Sequence, residues 1–380
     1  MTTNSFHTDL EYLYSALQKH PALREDTDVQ NRFAELYQQK QETVQEYASF
    51  IDAATELTTF FQDGHTNIEI PYAAKSRCLP LPCDWNESAS TDLVLTKRYE
   101  NIPSGSQITH ICGVPIEQVI TLMSQRIPHE NIFLVKSRMF KYPYQNYHVF
   151  SEMNLHALFG EQPAYAISFL VDGAEVVKSS PLADYNGFLD FPDDQDFISY
   201  ELAENAVILH LNSCNLNEKY TETLEEIAAL CHERQIPSLV LDLSQNMGGN
   251  SAAIDEFIKF THVDSFHRYE MIDFSSGEAK TITRRSDEIK NHKKVCLFPT
   301  EIYCKVSHNT FSSARTFAVT LKDNGIAKII GTETGGKPNS YGMPKKYVMP
   351  ESKIRFRVSR CYFMRPDATL DEEITLSPTE

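Results

Sequence analysis

From residue 206 onward the chain alternates short apolar runs with amphipathic stretches, and this alternation restricts its fold more than any other feature. The runs AVILHLN (206–212), SLVLDLS (238–244), IYCKVS (302–307) and AKIIG (327–331) read as strands, whereas TETLEEIAALCHER (221–234), SAAIDEFIKF (251–260) and SSARTFAVTLKDNG (312–325) read as helices. Strands separated by helices do not pair as hairpins. They are expected to lie parallel in an α/β layer, with largely buried strands.

Upstream the pattern differs. Between residues 5 and 62, Leu10, Leu13, Leu17, Phe33, Leu36, Tyr37, Ile51, Ala54, Leu57, Phe60 and Phe61 recur at helical intervals. Short apolar stretches such as QITHICGVPI and AYAISFLV follow among prolines, the look of a small β-rich unit. A chain of 380 residues exceeds what one core usually serves. Three modules are expected: a helical one over 1–75, a β-rich one with insertions over 76–195 and the α/β core over 196–380.

A net charge of −17 argues against nucleic acid and against an anionic membrane surface, both of which select lysine and arginine. The first residues have no basic stretch followed by an apolar one, and no run of 18 apolar residues occurs. As written the chain is expected to be cytoplasmic, or exported if a signal has been removed. Eight cysteines without paired C-x-x-C hooks predict free thiols, and thirteen histidines without an H-E-x-x-H or a cluster predict no metal. No cofactor is expected, and the oligomeric state is left open.

Two strand-to-helix junctions can carry chemistry. In LVLDLSQNMGGNSAAIDEF, Gly248 and Gly249 either bring bare amides to a ligand or serve a turn that needs positive φ. Ser251 follows but misses the G-x-S-x-G spacing of a nucleophile elbow. In IYCKVSHNTFSSARTFAVTLKDNG, Ser312 and Ser313 fall at a helix start, where a serine either caps free amides or is activated by them. Farther on, Gly331, Gly336 and Lys337 have the spacing of a phosphate loop, but Pro338 stands where that loop needs a hydroxyl and a helix.

Taken together, LVLDLSQNMGGNS, NTFSSARTFAVTLKDNGIAKIIGTETGGK and their order resemble the C-terminal processing, or tail-specific, serine peptidase family, whose fold is crotonase-like. The resemblance implies a nucleophile at Ser312, a general base at Lys337, and an oxyanion site from the amides of Gly248 or Gly249 and of Ser313. A lysine acts as base only when neutral, which requires burial to bring a pKa of about 10.4 toward 7 or 8. QDGHTNIE resembles the D-G-H-T turn of relatives, and in the tricorn-like branch its histidine, here His65, is the base. The stretch SGSQITHICGVPIEQVI is similar to part of a PDZ-like domain, with Cys112 where Asn is usual.

Other positions depart from the pattern: Arg315 stands where the family has Glu and Tyr341 where it has Gln. That leaves the orienting acid open, with Asp367, Glu372 or Glu373 as late carboxylates. The expected function is hydrolysis of peptide bonds through an acyl-enzyme on Ser312, with Lys337 or His65 as base and a peptide or protein as substrate. A non-catalytic binder on the same fold, or a hydrolase or acyltransferase with a non-protein substrate, stays open at this point.

Overall fold

The structure, a computed structural model, describes residues 2–24, 26–69, 77–86, 89–140, 148–184 and 196–379. Residues 75, 76 and 195, at the expected module limits, lie outside them. Among the described residues no helix is long and apolar enough to cross a membrane.

A five-stranded sheet runs in the order Ile198–Leu202, Ala206–Leu211, Ser238–Asp242, Glu301–Val306, Lys328–Gly331. Only its first pair is antiparallel; His210 faces Asp242, Asp242 faces Lys305 and Val306 faces Gly331 in parallel register. Helices Glu218–Arg234, Ala252–Ile258 and Ser313–Asp323 connect these strands and cover one face. Val207, Leu209, Leu211, Leu239, Leu241, Ile302, Cys304 and Ile329 pack there against Leu224, Ile227, Phe257, Phe317 and Leu321. The sequence predicted largely buried strands. Burial alternates along the parallel strands, and Ile208, Val240, Tyr303 and Ile330 on the other face are half-buried, because helices cover one side alone. Loops at the carboxyl ends of the parallel strands, residues 243–250, 307–312 and 332–339, converge at one edge, where open α/β sheets place their sites.

Two further cores adjoin this layer. Helices Thr3–Leu17, Tyr47–Thr59 and Thr27–Thr43 bury Leu10, Leu13, Phe33, Phe50 and Leu57 together with Met349, Ile354 and Phe356, so the helical block is closed by chain from the far end of the sequence. The strand Asn67–Glu69 makes the join by pairing with Arg355–Val358. The other core packs strands Gln107–Ile111 and Tyr165–Val171 against helices Ile116–Ser124 and Ile132–Phe140. Its Cys112–Gly113 turn has both residues at positive φ (51° and 77°), the conformation for which Asn-Gly is the commonest sequence.

The C-terminal segment is pinned by Arg365, which is fully buried and donates to Asp323 at 2.6 and 3.0 Å and to Glu373 at 2.5 Å. Arg365→Met leaves the buried Asp323 without its counter-charge. It is expected to lower the unfolding free energy by about 3–5 kcal/mol, read as a lower urea midpoint at unchanged slope. A loss below about 1 kcal/mol would show that the pair adds little beyond the desolvation it costs.

Candidate active site

The turn at residues 63–66 is built around one carboxylate. Asp63, fully buried, accepts the His65 backbone N–H at Oδ1 (2.9 Å), and at Oδ2 the Thr66 hydroxyl (2.6 Å) and His20 Nε2 (3.1 Å). His20 Nδ1 accepts the Ala22 N–H at 3.1 Å, so the ring proton sits on Nε2 and is donated to Asp63. Thr66 in turn accepts the Ser359 N–H. Gly64 is required by close approach, since a Cβ there would lie 2.7 Å from Leu134 Cδ2 and 2.8 Å from Phe311 Cζ.

Burial by itself would raise the Asp63 pKa, but the bonds and charges of His20 and His65 outweigh it and hold the carboxyl well below the ordinary range. A depressed carboxyl pKa contributes stability that is complete above the unfolded value, about 4, and is lost as pH falls through the lower native value. Asp63→Asn is therefore expected to lower stability at pH 7 by about 2–4 kcal/mol, with the gap to the parent narrowing below pH of about 4. Urea titrations of both proteins at pH 7 and pH 3 test this, and an equal gap at both would contradict it.

The turn delivers His65 to Ser312. His65 Nε2 lies 3.0 Å from Ser312 Oγ, and the imidazole stacks on Phe311 with ring centroids 4.7 Å apart. Ser312 has φ 54° and ψ −127° and makes no side-chain cap bond to the helix Ser313–Asp323 that follows it. The Ala314 N–H donates to the Phe311 carbonyl at 3.1 Å, which puts Ser312 at the second position of a tight turn of the kind that favours glycine. A serine in that conformation is strained, and its hydroxyl is not spent on capping.

Of the amides expected near the serine, one is already committed. Gly248 N–H donates to Asn246 Oδ1 at 2.8 Å. Gly249 N–H and Ser313 N–H have no acceptor among the described residues. Gly248 instead supplies room, since a Cβ on it would come within 2.7 Å of Ser312 Cβ and 3.0 Å of Ser313 N, at a φ of +109°. Buried Asn246 holds the two loops together by also accepting the Phe311 N–H at its carbonyl. Ser313 Oγ donates to the Gly249 carbonyl and contacts Ser251 Oγ, both at 2.8 Å.

Lys337 is oriented differently. Its backbone N–H donates to Glu130 Oε2 at 3.0 Å, while its side chain neither bonds Ser312 nor lines the cleft. Burial, and to a lesser degree the charges of Arg138 and Lys337, push the His129 imidazole below its ordinary value. Two of the late carboxylates are engaged elsewhere: Asp367 caps Thr369, and Glu373 holds Arg365.

Sequence reasoning missed His20 and Glu130. The second has the more partners: Oε1 accepts the Gly64 N–H at 3.2 Å, and Oε2 accepts Arg315 Nη1 at 2.9 Å as well as the Lys337 N–H. Arg315 is buried on a helix whose Ala314, Phe317, Ala318 and Leu321 form an apolar face, and a buried guanidinium demands a carboxylate; that much was readable, though not which one. Asp63, His65 and Glu130 together are close enough to share a metal ion. His20 and Thr66 already bond Asp63 Oδ2, and a guanidinium 2.9 Å from Glu130 Oε2 opposes a cation there.

Ser312 opens on a cleft of about 550 Å³, lined by His65, Gly249, Ser251, Ile254, Met271, Thr316, Tyr341 and Phe363 among others. An approaching carbonyl there would meet a hydroxyl, an imidazole and two unoccupied amides.

Residues 205–373 match the model of peptidase family S41. Among solved structures, mature CPAF superposes with a TM-score of 0.69 at 14% identity, covering 99% of this chain and 92% of that one. Mature CPAF complexed with lactacystin gives 0.69 at 13% identity over 99% and 93%. A photosystem II D1 C-terminal processing protease gives 0.50 at 14% identity over 98% and 92%. At such identities the likeness to these structures is one of fold. No curated protein sequence matches the chain.

Proposed function

From the match of residues 205–373 to the model of peptidase family S41, we propose that the chain is a peptidase of that family and hydrolyses peptide bonds by way of an acyl-enzyme on Ser312, with His65 as general base. The observation that carries the reading is the 3.0 Å contact between His65 Nε2 and Ser312 Oγ, reached across 247 residues of sequence. A serine hydroxyl is a poor nucleophile until a base within hydrogen-bond reach takes its proton. His65 Nε2 takes that proton as Ser312 Oγ bonds to the scissile carbonyl carbon, and then gives it to the leaving amine. Water, deprotonated by the same nitrogen, then bonds to the acyl carbon, and Nε2 returns the proton to Ser312 Oγ as the ester bond breaks and the acid leaves.

The amides of Gly249 and Ser313 receive the negative charge that develops on the carbonyl oxygen. Donors of this kind contribute about 2.7–4 kcal/mol each to the rate. Lys337 contributes its backbone N–H to Glu130 rather than a proton-accepting amine.

The test is labelling of the intact protein with a fluorophosphonate, followed by mass spectrometry of the modified peptide. One adduct on Ser312, lost in Ser312→Ala, is the expected result. An adduct on Ser251, or none on a folded parent, would overturn the reading.

A further inference from the structure

Resting on the Ser312–His65 reading, we infer that Glu130 is the positioning carboxylate of the site, the group that holds the His65 imidazolium when the base takes up the serine proton. His65 Nδ1 is buried and has no hydrogen-bond partner among the described residues. If Nε2 accepts from Ser312, Nδ1 carries the ring proton, and two carboxylates face it: Asp63 Oδ1 at 3.7 Å and Glu130 Oε1 at 3.8 Å.

The distances do not separate the two, but their commitments do. Asp63 is fastened at both oxygens by three strong contacts and shapes the turn on which His65 rides. Moving it toward Nδ1 breaks the backbone bond that sets the ring's own position. Glu130 Oε1 accepts a single long bond, from Gly64 N–H at 3.2 Å, and so retains capacity for a second donor. Closing its gap to hydrogen-bond length takes about 1 Å, the kind of tightening that free sites undergo on binding substrate.

The surroundings of Glu130 fit that role. Arg315 Nη1 grips the other oxygen at 2.9 Å, and its Nη2 is fixed on Ser340 Oγ at 2.6 Å. The Arg315 guanidinium lies over the Phe311 ring, on which His65 stacks. Gly336, at φ +91°, leaves space for the pair: a Cβ on it would fall 2.3 Å from Glu130 Oε2 and 2.7 Å from Arg315 Nη1. Glu130 thus ties the 63–66 turn, the 335–337 turn and the helix behind Ser312 to one carboxylate, and it comes from the loop between helices Ile116–Ser124 and Ile132–Phe140 of the β-rich unit. In the reacting step the proton leaves Ser312 Oγ for His65 Nε2, the Nδ1 proton stays on the ring, and Glu130 remains a carboxylate throughout.

The experiment measures the rate of fluorophosphonate attachment to Ser312 against pH in the parent, Glu130→Gln, Glu130→Asp, Asp63→Asn and the double variant Glu130→Gln with Arg315→Met. The double variant matters because removing both members of a buried ion pair is often neutral for stability, whereas removing one leaves a charge stranded. With melting temperature and circular dichroism like the parent's, it is expected to label about 10²–10⁴-fold more slowly. Its ascending limb should move to lower pH, because an imidazolium without its neighbouring negative charge forms less readily. Glu130→Asp, which keeps the charge, should recover part of the rate with the limb unmoved.

A folded double variant within about threefold of the parent, on an unshifted limb, would make Glu130 a structural residue and overturn the inference. So would an Asp63→Asn protein that alone reproduces the acid shift. A parent that does not react at Ser312 at all would instead sink the serine–histidine reading beneath both.

Discussion

Ser312→Ala is expected to lower peptide turnover by about 10⁴–10⁶-fold while leaving the unfolding free energy within about 1 kcal/mol of the parent. Ser312→Gly should be as inactive, yet more stable than the alanine variant by about 1 kcal/mol. Both expectations come from the same backbone. At φ 54° and ψ −127° the residue occupies a turn position that suits glycine, so any side chain there is strained and only the hydroxyl gives a reason to keep one. Alanine retains the strain and discards the chemistry, whereas glycine discards both. Turnover of a fluorogenic peptide mixture and urea midpoints of the three proteins give the comparison. An alanine variant that retains turnover would remove Ser312 from the reaction, and a glycine variant melting below the alanine one would show that the strain is absent in solution.

What could be read from the sequence divides along the range of the interactions involved. The α/β layer was legible because strand and helix periods are local properties, and the Gly248 and Ser312 junctions were legible because a tight approach leaves a glycine and a helix start leaves a polar residue. Which glycine amide stays unoccupied was not, since it depends on Asn246 turning back to take the Gly248 N–H. His65 could be proposed from its turn, but the packing of Gly64 against Leu134 and Phe311 is what aims the ring. Arg315 stood out as a departure from the family's acid. Its partner Glu130, 185 residues away in a stretch without any signature, could be found only in three dimensions. The late acids Asp367, Glu372 and Glu373 were reasonable by chain order, yet Asp367 and Glu373 are engaged with Thr369 and Arg365 instead.

The choice between the two candidate bases carries the last large effect. His65→Ala is expected to lower turnover by about 10⁴–10⁶-fold, and Lys337→Met by no more than about tenfold. The spacing of Lys337 from Ser312 brings its backbone to the site, where the N–H reaches Glu130 at 3.0 Å. The side chain neither bonds Ser312 nor lines the cleft, and substitution by methionine keeps the backbone bond and most of the stem's volume. His65 has no substitute, because Nε2 is the group within reach of the Ser312 hydroxyl among the described residues. Removing its ring leaves a space beside Phe311, so imidazole added in solution is expected to restore part of the His65→Ala rate and none of the Ser312→Ala rate. Initial rates on the same peptide mixture, with and without imidazole, decide the matter: a Lys337→Met protein as inactive as His65→Ala would mean that the lysine swings into the cleft when substrate binds and that the base is shared.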